Sequence, residues 1–178
     1  MIRALRKRFG AHLEDEDGAV SVEFFLVVGV VVSVMVIGLE LGFINLRQAL
    51  LERGLDMAVR EVRLGTGTSP QHDDIKDLVC QNAIFIKFCE DNIFLEMVPD
   101  DIRSYTGLSP LPHCTDNPAP AEPVREFTPG QPNELMLMRA CLKFEPIFPQ
   151  ALLAKTLTTD GEGNAVIVAV TSFVQEPS

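Results

Sequence analysis

The chain is 178 residues long and carries 25 acidic against 15 basic side chains, a formal charge of −10. This length accommodates one modest domain plus a membrane segment and excludes two full-sized soluble domains. The charge is unevenly placed. Arg3, Arg6, Lys7 and Arg8 make a basic head, whereas residues 48–178 hold 10 basic and 19 acidic side chains, which argues against nucleic acid as a partner of the main body.

The basic head leads to Glu14-Asp15-Glu16-Asp17-Gly18, and residues 19–39 then read AVSVEFFLVVGVVVSVMVIGL, 21 residues with Glu23 as their one ionisable side chain. At about 1.5 Å per helical residue the run measures about 30 Å, the hydrocarbon thickness of a bilayer. A secretory signal has a shorter apolar core, about 7–15 residues. Here the run continues into Glu40-Leu41-Gly42-Phe43. Apolarity around the whole circumference is also unlike the core helix of a small soluble domain. A transmembrane helix over 19–44 is therefore expected.

Glu23 is the fifth residue after Gly18. A carboxylate at mid-depth in a transmembrane helix costs about 2.5–3.5 kcal/mol on insertion scales and calls for a compensating partner. Cleavage after Gly18 gives Ala19 an α-ammonium group one helical turn from Glu23. The two groups can then neutralise each other, within one chain or between neighbouring subunits of a helical assembly. Glycine before the cut suits a protease that must draw the backbone into an extended, closely approached conformation. The competing reading is that Glu23 snorkels to the cytoplasmic interface and lies in the field of the helix N-terminus.

Direction across the membrane is weakly marked by charge, because Arg6, Lys7 and Arg8 precede the run while Arg47 and Arg53 follow it. Cysteine placement adds weight. Cys80, Cys89, Cys114 and Cys141 all follow the run, and an even number on one side points to disulfides in an oxidising compartment. Together with the short N-terminal arm, this favours a cytoplasmic N-terminus and a periplasmic domain over 45–178. Four reduced, buried thiols are the alternative; a zinc site is disfavoured by the lack of CxxC or HxxxH spacing.

Beyond the run, Ile44, Leu51, Leu55, Ala58 and Val62 keep to one stripe, so one helix is expected over about 19–64. Gly54 weakens that helix, since glycine costs about 1 kcal/mol relative to alanine in a helix interior. Gly65-Thr66-Gly67-Thr68 ends it. Ser69 as cap, Pro70 at the first position and Asp73 and Asp74 in the first turn predict a second helix over about 70–82. It must break before Cys89 for a Cys80–Cys89 bond, because nine helical residues hold two Cα atoms about 13 Å apart, beyond disulfide reach. Ile93–Val98 reads as a strand, and residues 99–134 hold 8 of the 12 prolines in a long irregular excursion.

Parity divides Leu135–Phe144 into a core face (Met136, Met138, Ala140, Leu142, Phe144) and a more polar face carrying Arg139, Cys141 and Lys143. Cys114 from the proline-rich stretch can reach Cys141 there. Cys80–Cys89 with Cys114–Cys141 is thus the preferred pairing among three connectivities. After the Asp160-Gly161-Glu162-Gly163 turn, Ala165–Val174 is a last strand, paired antiparallel with 135–144. The fold class is α+β: a long N-terminal helix continuing as a spine against an antiparallel sheet of about three strands. No HExxH, GxSxG, Walker or Rossmann pattern occurs, and His72 and His113 read as solvated loop residues. No enzyme activity, cofactor or metal is expected.

The basic leader, Gly18, the apolar stretch and Glu23 together resemble the processing site of type IV prepilins. The segment DGAVSVEFFLVV is similar to the N-terminus of the TadE-like family, minor pilins of the Tad (Flp-type IVb) tight-adherence system. RGLDMAVREVRLGTG, LVCQNAIFIKFCEDNIFLEM and the closing LMLMRACLKFEPIFPQALL with VAVTSFVQEP resemble that family's periplasmic region, so the likeness covers most of the chain. It implies cleavage between Gly18 and Ala19 by a prepilin peptidase, and anchorage in the bacterial inner membrane. Its implied partners are the lipid bilayer, the major Flp-type pilin, other minor pilins and the Tad assembly platform. Flp-type pilins often carry Tyr after the glutamate. Phe24 stands there, which, with the large C-terminal part, favours a minor pilin over the major subunit. An uncleaved, signal-anchored periplasmic adaptor or sensor and a type II secretion pseudopilin are the alternatives.

Overall fold

The computed structural model describes residues 17–64, 71–84, 86, 88–104, 106–108, 114, 127–148, 157 and 163–177. The basic leader, the 65–68 break, Ser69, Pro70, His113, the first three residues of the 160–163 turn and most of the proline-rich stretch lie outside them. The chain divides into two units, Met1–Leu39 and Glu40–Ser178. Helix α1, Asp17–Leu64, contributes to both.

In the first unit α1 is apolar on every side. Val20, Val22, Phe24, Phe25 and Val30 point in different directions around the helix, and each is exposed. Among the described residues, α1 is the one helix long and apolar enough to cross a membrane. One polar interruption, Ser33, is locally satisfied: its hydroxyl donates to the Gly29 carbonyl at 2.7 Å. That back-bond removes an unpaired donor from an apolar stretch.

In the second unit α1 becomes one-sided. Leu51, Leu55, Ala58, Val59 and Val62 are buried, while Glu52, Arg53, Arg60 and Glu61 are exposed. The buried stripe lies in one core with Ile75 and Val79 of α2 (His72–Asn82) and with one face of a three-stranded sheet. The sheet is antiparallel, in the order β1 (Ile93–Asp100), β2 (Leu135–Phe144), β3 (Ala165–Val174). Leu95 faces Ala140 across the β1–β2 pair, and Ala140 faces Ala169 across β2–β3. By strand alternation, Met97, Met138 and Ile167 share that core face, and all are buried.

Gly54 explains itself once α2 is in place. A Cβ there would come within 2.6 Å of the Val79 carbonyl oxygen and 3.1 Å of the Ala83 side chain. The glycine that lowers helix propensity is what lets α1 and the end of α2 approach. Helix α2 begins two residues later than its proline suggests, because Gln71 is extended (φ −81°, ψ 167°) and acts as the cap. Its N–H donates to the Asp74 carboxylate at 2.9 Å, closing the first turn.

Candidate functional site

Gly18, Ala19 and Glu23 all lie in α1, near its start. Ala19 and Glu23 stand four residues apart, which puts them on one face, about 6 Å apart along the axis. Glu23 is exposed, and among the described residues no ion pair or hydrogen bond reaches it. Among the described residues, nothing compensates this carboxylate.

Among the described residues, the domain's buried carboxylates are answered internally. Glu40 is completely buried, and its two oxygens accept the N–H groups of Ile147 and Phe148, each at 3.1 Å. Glu96 and Arg139 are register partners across β1 and β2. They lie on the face opposite the core, where Arg139 Nε donates to Glu96 Oε2 at 2.6 Å and Nη2 also meets that oxygen. Parity assigns this face to solvent, yet Leu137, Arg139 and Cys141 are buried there. The sequence signal was one acid in β1 and one arginine in β2, each amid apolar neighbours; their mutual register was not readable.

Cys141 on that face is bonded to Cys114, with Cα atoms 5.9 Å apart, and Cys80 is bonded to Cys89, with Cα atoms 5.7 Å apart. The second bond needs the chain to turn, which it does. Helix α2 stops at Asn82, and a short helix α3, Cys89–Asn92, follows. Between them Phe88 sits at φ 53°, a left-handed conformation that strains a bulky residue. Its ring is 74% exposed.

His72 is not a solvated loop residue. It opens α2, lies edge-on to Phe127 with ring centroids 5.4 Å apart, and its Nδ1 is 2.9 Å from Asp73 Oδ1. Among the described residues no cluster of three or more His, Cys, Asp or Glu is placed to hold a metal ion.

One end of the domain carries a groove of about 680 Å³, lined by residues from α1 (Phe43, Leu46, Arg47, Leu50), from the α2–α3 turn (Ile86, Phe88) and from the end of β2 (Lys143, Phe144) and beyond. The Arg47 guanidinium lies 4.6 Å from the centre of the Phe144 ring, a cation–π contact. Its Nη1 is enclosed and, among the described residues, has no hydrogen-bond partner. Burial lowers the Arg47 pKa from its ordinary value, opposed by the attraction of Glu40; arginine stays charged through such a shift.

No protein-family model, curated protein or solved structure matches this chain.

Proposed function

We propose that the chain is a TadE-like minor pilin. On this reading a prepilin peptidase cuts it between Gly18 and Ala19, and α1 holds it in the bacterial inner membrane with the disulfide-bonded domain in the periplasm. There it takes part in assembling a Tad (Flp-type IVb) pilus as a non-enzymatic subunit. The observation that carries the reading is Glu23. Among the described residues it is an unpaired carboxylate, at the head of a helix whose first part is apolar on all sides, one turn from the amino group that cleavage would create. Two disulfides in the domain support an oxidising compartment. That one helix, Asp17–Leu64, contributes both the apolar segment and part of the domain core is in keeping with a membrane-anchored subunit.

Cleavage is tested by intact mass and N-terminal sequence of protein from native membranes, with and without a co-expressed prepilin peptidase. A peptidase-dependent N-terminus at Ala19 is the expected result. An intact leader under both conditions would leave the uncleaved periplasmic adaptor or sensor instead. Co-purification with the major Flp-type pilin, another minor pilin or the Tad platform separates this reading from a type II secretion pseudopilin, which shares the cut. Glu23→Ala is expected to be processed normally but to fail in co-assembly with those partners. Normal assembly of that variant would sink the role assigned to the carboxylate.

A further inference from the structure

The groove beside Arg47 combines features that a domain of this composition has little reason to gather by chance. Four of its lining residues, Phe43, Leu46, Phe88 and Ile147, are large, apolar and exposed. Phe88 is held outward at positive φ, and its carbonyl oxygen accepts from the backbone and side-chain N–H groups of Asn92 at 3.2 and 2.9 Å. Ile147 is fixed by the N–H that it donates to Glu40. Two cations, Arg47 and Lys143, line the same groove against one acid, Glu145, although the rest of the domain is strongly acidic. Arg47 is half-buried in the groove wall, and among the described residues its enclosed Nη1 has no hydrogen-bond partner.

Position in the chain says what meets this surface. Arg47 lies three residues beyond the expected membrane segment, 19–44, a helical rise of about 4.5 Å. If that segment crosses a bilayer, the residues from Phe43 to Arg47 emerge at headgroup depth. There an acidic domain is repelled by an anionic leaflet, and cations near the surface are attracted to it. Aromatic and aliphatic side chains at that depth bury in the boundary between headgroups and acyl chains. The occupant that matches both the charge and the apolar wall is an anionic phospholipid.

We propose that the groove seats one anionic phospholipid of the leaflet facing the domain, its phosphate held by Arg47 with Lys143 at the rim and its upper acyl chain against Phe43, Leu46 and Phe88. The domain is thereby clamped to the membrane until the subunit leaves it. This inference rests on the membrane-anchored reading given above.

The chain has no tryptophan, so one introduced indole is a clean reporter. Full-length Phe88→Trp protein is reconstituted into vesicles of phosphatidylcholine alone, or with added phosphatidylglycerol, with brominated chains on one lipid or the other. Val174→Trp, at the far end of β3 and about 30 Å of strand away from Ala165, is the control. The expected result is blue-shifted emission at position 88, quenched about fivefold more by brominated phosphatidylglycerol than by brominated phosphatidylcholine at equal mole fraction. Position 174 is expected to stay unquenched. Adding Arg47→Gln is expected to abolish the lipid preference, and Arg47→Lys to retain part of it, with circular dichroism confirming the fold of each. Equal quenching by both lipids, or water-like emission at position 88 in protein that floats with the vesicles, would overturn the lipid site alone. Protein that does not float after a carbonate wash would overturn the membrane anchor, and the site with it.

Discussion

The two units treat carboxylates in apolar surroundings in opposite ways. In the domain, Glu40 is met by two backbone amides and Glu96 by the Arg139 guanidinium, so burial leaves neither carboxylate unanswered. In the first unit Glu23 stands on an apolar helix with nothing among the described residues to answer it, and its apolar neighbours are themselves exposed. Carboxylates satisfied in this way need nothing from outside the domain. A helix whose apolar surface is exposed and whose Glu23 is unanswered among the described residues calls for something outside the chain: on our reading, first a bilayer and then other subunits. The sharpest way to use this contrast is to break it from each side.

The largest effect is expected at Glu96. Glu96→Ala leaves Arg139 buried without its carboxylate, and removing one partner of a buried pair costs about 3–5 kcal/mol. Denaturant unfolding of the domain should show the loss directly. Replacing both residues by apolar side chains of similar size should recover most of the loss, because the penalty lies in the orphaned charge. Glu23→Ala, by contrast, is expected to leave the unfolding of the domain unchanged and to act only in assembly. Equal destabilisation by both substitutions would remove the distinction between the units.

Glycines in α1 sharpen the same comparison at smaller magnitude. Nothing lies within 4 Å of a Cβ built at Gly38, whereas one at Gly54 meets the Val79 carbonyl at 2.6 Å. Gly38→Ala should therefore be neutral or stabilise α1 by up to about 1 kcal/mol, the difference in helix propensity. Gly54→Ala gains the same propensity but forces α1 and α2 apart, with a net cost of about 1–3 kcal/mol for overpacking. Thermal melts of the two variants, followed at the same wavelength, decide this. A stabilised Gly54→Ala protein would mean that the helices can separate without loss.

Much of this architecture was readable in the sequence, and what was not readable shares one cause. The apolar run, the stripe Leu51, Leu55, Ala58 and Val62, and the core parity of β2 follow from local periodicity, which needs no knowledge of partners. Gln71 capping α2 in place of Ser69 turned on one extended residue and the Asp74 carboxylate. The burial of Arg139, the capture of Glu40 by residues 107 and 108 positions onward, and the reason for Gly54 are all set by contacts distant in sequence. Gly54 shows the point best. Its local cost was visible in the sequence, but the compensating contact with Val79 and Ala83 appears only when two helices are brought together.

The smallest predicted effect concerns pH and belongs to the domain alone. Asp100, at the end of β1, accepts hydrogen bonds from the N–H groups of Asp101, Thr106 and Gly107 and from the Thr106 hydroxyl, at 2.9–3.1 Å. The backbone N–H of Thr106 is the main cause of a pKa held below the ordinary aspartate value, with the other donors adding to it against partial burial. Because the folded pKa lies below the unfolded one, the carboxylate stabilises the fold above the unfolded value, about 3.9, and that contribution is lost as pH falls through the folded value. Asp100→Asn retains one acceptor oxygen and cannot titrate. Its melting temperature should fall short of the wild type near neutral pH and approach it as the pH drops below about 4. Parallel curves for the two proteins across that range would show that the turn after β1 is held by its backbone geometry, with the charge of Asp100 contributing nothing.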